Sequence, residues 1–371
     1  MANMMDYLDW RGDLTFQQSE FNEVDNLLLA QLSYVDFEGI VPALGSPGSI
    51  MAKEASELFF QQHDEKELLA STSLLRMCPF VFKKMAQSRR FEAIKLSNYI
   101  NTIDESLQKQ FSAITIELDA QTLYVAFRGT DDTIIGWKED FNMSYMSPVP
   151  AQIEAARYVD EAVGHQYTQI YFGGHSKGGN LAIYAAVNCS PSIRERIKTV
   201  FNNDGPGFDR KVIESQAYQE MRQRIRTIVP HSSIVGMLLE HEDQYMVVKS
   251  SQTGIMQHDA ITWEVLGNRF VTVNNISGRS RLLEAALKSW IDKLDNKERE
   301  QFVETLYKVF DEVGVKNLTD LSRDKLKKMR EIMKAFGSMA PESKEVLLKT
   351  VKILVQESNR ILRSWRRSSL T

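Results

Sequence analysis

The chain of 371 residues has only two cysteines, Cys78 and Cys189, too far apart for any metal-binding or thiol-redox spacing. Both are expected as small apolar core residues of a protein kept in a reducing compartment. No stretch approaches the roughly 18 uninterrupted apolar residues of a membrane-spanning helix. The N-terminus MANMMDYLDWRGDLTFQQSE lacks a basic start and an apolar run, so no secretory signal is expected and a cytoplasmic location is. Excess positive charge is missing as well. The formal charge is -4 at pH 7, which argues against nucleic acid as a partner. No metal or organic cofactor is implied.

What the chain does have is a change of period along its length. Apolar residues recur at helical spacing over 21–37 (FNEVDNLLLAQLSYVDF), behind Asn22 or Ser19 as caps, and further helices are expected over 52–62 and 65–85. Three strands then read over 91–104, 110–118 and 122–128, the last two joined by the turn DAQ. Beyond them, strands over 169–172, 198–202, 225–229 and 244–249 alternate with helices over 151–163, 180–188 and 210–222. Such alternation implies a mostly parallel sheet covered on both faces.

From Arg281 onward the pattern is amphipathic helix, with 20 basic and 14 acidic residues. Two parts are expected: a core over 1–275 that includes the N-terminal helices, and a helical region over 276–371. That region would pack on the core as a bundle, act as a lid, or dock on an anionic membrane through Arg363, Trp365, Arg366 and Arg367.

Chemistry concentrates in GGHSKGGNLA, where Ser176 stands in a G-x-S-x-G sequence between the apolar run QIYF and a helical pattern. A serine nucleophile needs a sharp strand-to-helix turn that exposes its oxygen, and small neighbours make that turn possible. The base is sought among six histidines. His258, in GIMQHDA, lies on a loop after the last strand, where the base falls in this chain order. For the acid, Asp204 follows the strand TVFNN at the sheet edge where ligand sites collect. Glu240, Glu242 and Asp243 remain alternatives. An oxyanion also needs donors, and the backbone N–H groups of Lys177 and Thr130 are placed to provide them, Thr130 with its hydroxyl in addition. The Lys177 side chain is expected at the surface or the edge of the site, because neighbours on a tight turn cannot both reach one atom.

Together FRGTDDTIIGWKEDF, GGHSKGGNLA and QHD resemble the class 3 lipase branch of the α/β-hydrolases, and more closely its bacterial relatives, from about Asp6 to Val273. LSYVDF and HSSIVGMLLEH are similar to those relatives too. The resemblance implies Thr130 as the oxyanion-loop residue, Ser176 as nucleophile and His258 as base. Trp137 and Asp140 match a W-x-x-D pattern that supports the oxyanion loop. One departure stands out: the family's aspartate would fall at Ser232 or Ser233. The expectation is an α/β-hydrolase fold with N-terminal helices and a C-terminal helical extension. Its activity would be that of a serine hydrolase on small-molecule or lipid esters. The alternative is a weak or inactive relative that binds a partner or membrane through its C-terminal helices.

Overall fold

The computed structural model describes every residue except 72, 74, 132–133, 241–243, 316–324, 340 and 369–371; side chains at 134–135, 279, 283–284, 325–329 and 361–368 also lie outside the description. The chain begins with α1 (Met4–Arg11) and α2 (Glu23–Leu32), then β1 (Ile50–Met51), α3 (Ala52–Gln62), α4 (Glu65–Ala70) and α5 (Cys78–Ala86). Asn22 caps α2 in a reciprocal pair with Asp25, which satisfies the free N–H groups of the first turn. The helix expected over 65–85 is two helices instead, because the first ends at Ser71 and Pro79 starts the second.

Eight strands form one sheet in sequence order: β1, β2 (Lys95–Asp104), β3 (Lys109–Asp119), β4 (Thr122–Phe127), β5 (Gln169–His175), β6 (Ile197–Asn203), β7 (Ile225–Pro230) and β8 (Tyr245–Val248). The first four pair antiparallel, and β4 to β8 run parallel. Connections from β4 to β7 are helical: α6 (Ile134–Asn142), α7 (Pro150–Ala162), α8 (Lys177–Asn188), α9 (Pro191–Arg194), α10 (Arg210–Ile213) and α11 (Gln216–Met221). The single helix expected over 210–222 is the pair α10 and α11, since Ser215 stops one and caps the other. A small hairpin, β9 (Val265–Leu266) and β10 (Arg269–Phe270), precedes α12 (Gly278–Asp292), α13 (Asn296–Glu312), α14 (Lys325–Ser338) and α15 (Pro341–Ser368).

Alternation along the central strands divides the core in two. In β4, Tyr124 and Ala126 pack with the N-terminal helices, while Leu123, Val125 and Phe127 pack with α7 and α8. Cys78 and Cys189 are buried free thiols, one on each side. The N-terminal layer is tied down by Arg90, whose guanidinium donates to both carboxylate oxygens of Asp25 at 2.7 and 2.5 Å, with both side chains fully buried. With both faces covered, the C-terminal ends of β4 to β8 carry the loops that hold Thr130, Ser176, Asp204, Ser233 and His258.

Candidate active site

β5 ends at His175 and α8 starts at Lys177, so Ser176 alone makes the turn, with φ 58° and ψ −134°. A side chain in that region costs about 1–3 kcal/mol and persists only where the surroundings impose it. Here close approach imposes it. A Cβ on Gly174 would lie 2.3 Å from the carbonyl carbon of Gly178, and one on Gly178 would lie 2.1 Å from the carbonyl oxygen of Phe127. The two glycines of G-x-S-x-G therefore let β4, β5 and α8 meet, and the turn presents Ser176 at the sheet edge.

Asp204 follows β6 with φ 54° and is fully buried. Its Oδ2 pairs with His258 Nδ1 at 2.6 Å, and its Oδ1 accepts the Ser233 hydroxyl at 2.5 Å. The Asn202 carboxamide accepts from the Gly205 N–H at 2.9 Å, and the Asp204 N–H donates to the Ile228 carbonyl at 2.8 Å, so the loop is braced on both sides. Ser233, one of the two serines near which the resemblance places an acid, thus touches the candidate acid Asp204 after the preceding strand. Of the other acids weighed, Glu240 is partly exposed and meets Arg210 and Lys288 at 3.6 and 3.7 Å. Glu242 and Asp243 lie outside the described residues.

His258 ends a 3₁₀ turn, Gly254–His258, held by its neighbours. Gln257 accepts the Ser232 N–H at 2.6 Å, and the buried Trp263 indole donates to the Gln257 carbonyl at 2.9 Å. His175 reaches the same loop: its Nε2 lies 2.7 Å from the His258 carbonyl, which can only accept, so Nε2 carries a proton. Its Nδ1 lies 3.1 Å from the hydroxyl of Tyr34. Burial, aided by the nearby His258 ring, holds the His175 pKa well below the usual histidine range, so the ring is neutral with Nδ1 as acceptor. The two imidazoles stand 4.6 Å apart between centroids. Among the described residues no hydrogen bond joins the His258 ring to Ser176.

The residues expected to serve an oxyanion depart from expectation in two ways. The Thr130 hydroxyl is not free, because it donates to Asp140 Oδ2 at 2.5 Å, so of the two donors expected from Thr130 only the backbone N–H remains for that role. Burial raises the Asp140 carboxyl to about 6, against the lowering effects of Lys177 and Thr130. Lys177 is the second departure. Its side chain lies inside the protein, 1% exposed, with Nζ 2.8 Å from Glu139, 3.0 Å from the Gln110 carbonyl and 3.3 Å from Gln110 Oε1. The backbone does point the ammonium away from Ser176, as the tight turn requires, but it turns it into the core and not toward solvent.

Ser176 and Asp140 open onto an apolar cavity of about 260 Å³. Pro206, Ile234, Leu238 and Ile255 line it from the sheet side, and Leu287, Trp290, Phe302 and Val303 of α12 and α13 close it from the other. The C-terminal helices therefore wall the site, while the Arg363, Trp365, Arg366 and Arg367 side chains lie outside the described ones. No described helix is long and apolar enough to cross a membrane, and no group of His, Cys, Asp and Glu among the described residues could hold a metal ion. Tyr34, Glu139, His175, Ser233 and Gln257 were not read as site residues from the sequence. The segments LSYVDF and HSSIVG are similar to the family's, but their residue pattern alone assigns no role to Tyr34 or Ser233.

The mostly parallel sheet, with a serine on its strand-to-helix turn and helices on both faces, defines an α/β-hydrolase fold of lipase-like architecture. Within that class the chain belongs to the Mbeg1-like family, which matches residues 85–308. Two solved structures are similar at low identity. One is the crystal structure of M37 lipase, 16% identical, with 59% of this chain and 71% of that chain covered and a TM-score of 0.34. The other is a fungal lipase–inhibitor complex presented as a model for interfacial activation in lipases, 15% identical, covering 55% and 81%, with a TM-score of 0.31. No curated protein matches by sequence. Tyr34 precedes the matched span, so the segment before it also contributes to the site.

Proposed function

We propose that the protein is a serine hydrolase of the class 3 lipase type that cleaves lipid or acyl carboxylic esters. One observation carries the reading: the 2.6 Å pairing of His258 Nδ1 with Asp204, beside a serine held on a strained turn that opens onto an apolar cavity. Ser176 Oγ attacks the ester carbonyl and passes its proton to His258 Nε2, and Asp204 stabilises the imidazolium through Nδ1–H. The N–H groups of Thr130 and Lys177 hold the oxyanion. His258 then returns the proton to the leaving alcohol, and water releases the acyl group by the reverse path. The Ser176–His258 hydrogen bond forms with substrate in place, as such bonds commonly tighten only in the complex.

The cavity fits the acyl part. A dry apolar cavity of about 150 Å³ takes a benzene ring of six carbons, so one of about 260 Å³ suits an acyl chain of roughly ten. The rival reading, a hydrolase-like binder without catalysis, drew on the carboxylate missing after β7, and Asp204 in contact with His258 weighs against it. A cytoplasmic setting belongs to the same proposal. Purified protein should hydrolyse p-nitrophenyl esters and label with a fluorophosphonate probe, and Ser176→Ala should abolish both. Failure of the parent protein in both assays would overturn the reading.

A further inference from the structure

The two amides proposed to hold the oxyanion lie on separate loops, after β4 and after β5, and something must keep them in register. Lys177 supplies one of them. Its side chain runs to Glu139 on α6, and the next residue of α6, Asp140, takes the hydroxyl of Thr130, which supplies the other. The link closes on itself: the residue that carries the second donor anchors the helix that anchors the first.

The chemistry of the cluster permits no other use of the lysine. An ammonium has three protons, and three acceptors surround Nζ within 2.8 to 3.3 Å. Glu139 is equally committed, accepting the Gln110 N–H at 3.1 Å and the Ala151 N–H at 2.9 Å besides Lys177, and it is fully buried. Space is set to match, since a Cβ on Gly136 would meet Gln110 Oε1 at 2.4 Å and the Thr130 methyl at 2.8 Å. No proton of the pair is available for a Ser–Lys reaction, and no atom of it faces the substrate cavity.

We propose that Lys177 and Glu139 are positioning residues for the oxyanion site: their buried ion pair fixes α6 against the Ser176 turn, so that Asp140 holds Thr130 and its N–H in place. The proposal rests on the ester-hydrolase reading. It predicts that the pair acts on rate through Thr130 and not through stability alone.

The test is a mutant cycle on the full chain with a p-nitrophenyl ester, using Lys177→Met/Glu139→Leu, which removes both charges together, and Thr130→Val, which removes the hydroxyl. Folding is checked by circular dichroism, and kcat is expressed per folded protein. The double replacement should lower kcat by about 100-fold, the scale of one lost oxyanion donor, with KM nearly unchanged. In the Thr130→Val background the same replacement should cost less than about fivefold, because the link is already cut. Equal costs in both backgrounds would overturn the proposal while leaving the hydrolase reading intact. Should the pair replacement fail to fold, Glu139→Gln, which keeps the shape, must show the same loss of cost in the Thr130→Val background or the proposal falls. An inert parent protein would overturn both readings.

Discussion

Ser233 donates its hydroxyl to Asp204 Oδ1 at 2.5 Å, from the segment after β7 where the resemblance to class 3 lipases places the acid near Ser232 or Ser233. The proposed acid thus touches the region where the resemblance places the family's carboxylate, and moving the carboxylate between the two positions tests the proposal. Asp204→Asn should lower kcat/KM by about 10⁴-fold, the cost of leaving the histidine in the wrong tautomer. Ser233→Ala removes one hydrogen bond to a charged acceptor, worth about 1.5–3 kcal/mol, and should cost roughly ten- to a hundredfold. The exchange Asp204→Ser/Ser233→Asp should recover at least tenfold over Asp204→Asn. Steady-state kinetics of the three variants decide it, and an Asp204→Asn variant as active as the parent protein would remove Asp204 from the triad.

Tyr34 Oη joins three loops at once, accepting the Gly129 N–H and reaching both the ring and the carbonyl of His175 at 3.1 and 3.2 Å. Tyr34→Phe keeps the ring and deletes the connection, so it should lower kcat about tenfold with little change in KM. His175→Phe should do more harm, since it also frees the His258 carbonyl. If Tyr34→Phe matched the parent protein in kcat, the hydroxyl would have no part in holding the loops.

Asp140 gives a signed pH dependence. Its carboxyl is raised to about 6 by burial, and Oδ1 is buried with no hydrogen-bond partner among the described residues. A pKa raised above the unfolded value of about 3.8 means stability that is present at low pH and lost as pH rises through about 6. Asp140→Asn escapes this cost but loses the charged acceptor for Thr130. The variant should therefore gain stability relative to the parent protein by about 1–2 kcal/mol more at pH 8 than at pH 5, while its activity falls. Urea unfolding at the two pH values measures the difference, and a larger relative gain at pH 5 would reverse the assignment.

The alternating periods of the central strands and the glycines around Ser176 made the sheet and the turn legible, because both are local consequences of side-chain size and polarity. Chain order and loop position lead to Ser176, Asp204 and His258 as candidates, and the structure places Asp204 against His258. The inward course of Lys177 was not: whether a lysine beside a nucleophile faces solvent or a buried carboxylate depends on Glu139, 38 residues away in sequence. Tyr34 was hidden for the same reason, since its partner His175 is 141 residues distant. Helix patterns over 65–85 and 210–222 ran past real breaks because a serine or proline within a periodic stretch reads equally as a helix surface or as a cap.

On the proposed ester-hydrolase reading, the wall formed by α12 and α13 would make acyl selectivity a property of the C-terminal region. Trp290 faces the cavity and donates its indole N–H to the Thr350 carbonyl of α15 at 3.0 Å, while Arg299 of α13 donates to the Ser144 carbonyl beside α6 at 2.7 Å. The wall is thus pinned from behind and at its edge, and its shape should set the chain-length profile. Trp290→Ala and Phe302→Ala each remove a ring that lines the cavity and enlarge it, so both should move the preferred p-nitrophenyl ester to longer chains. Each methylene accommodated in an apolar pocket discriminates by about 1–3 kcal/mol, so the ratio of kcat/KM for dodecanoate over butyrate should rise at least tenfold. If the profile keeps its optimum in both variants, the acyl chain does not lie under these helices.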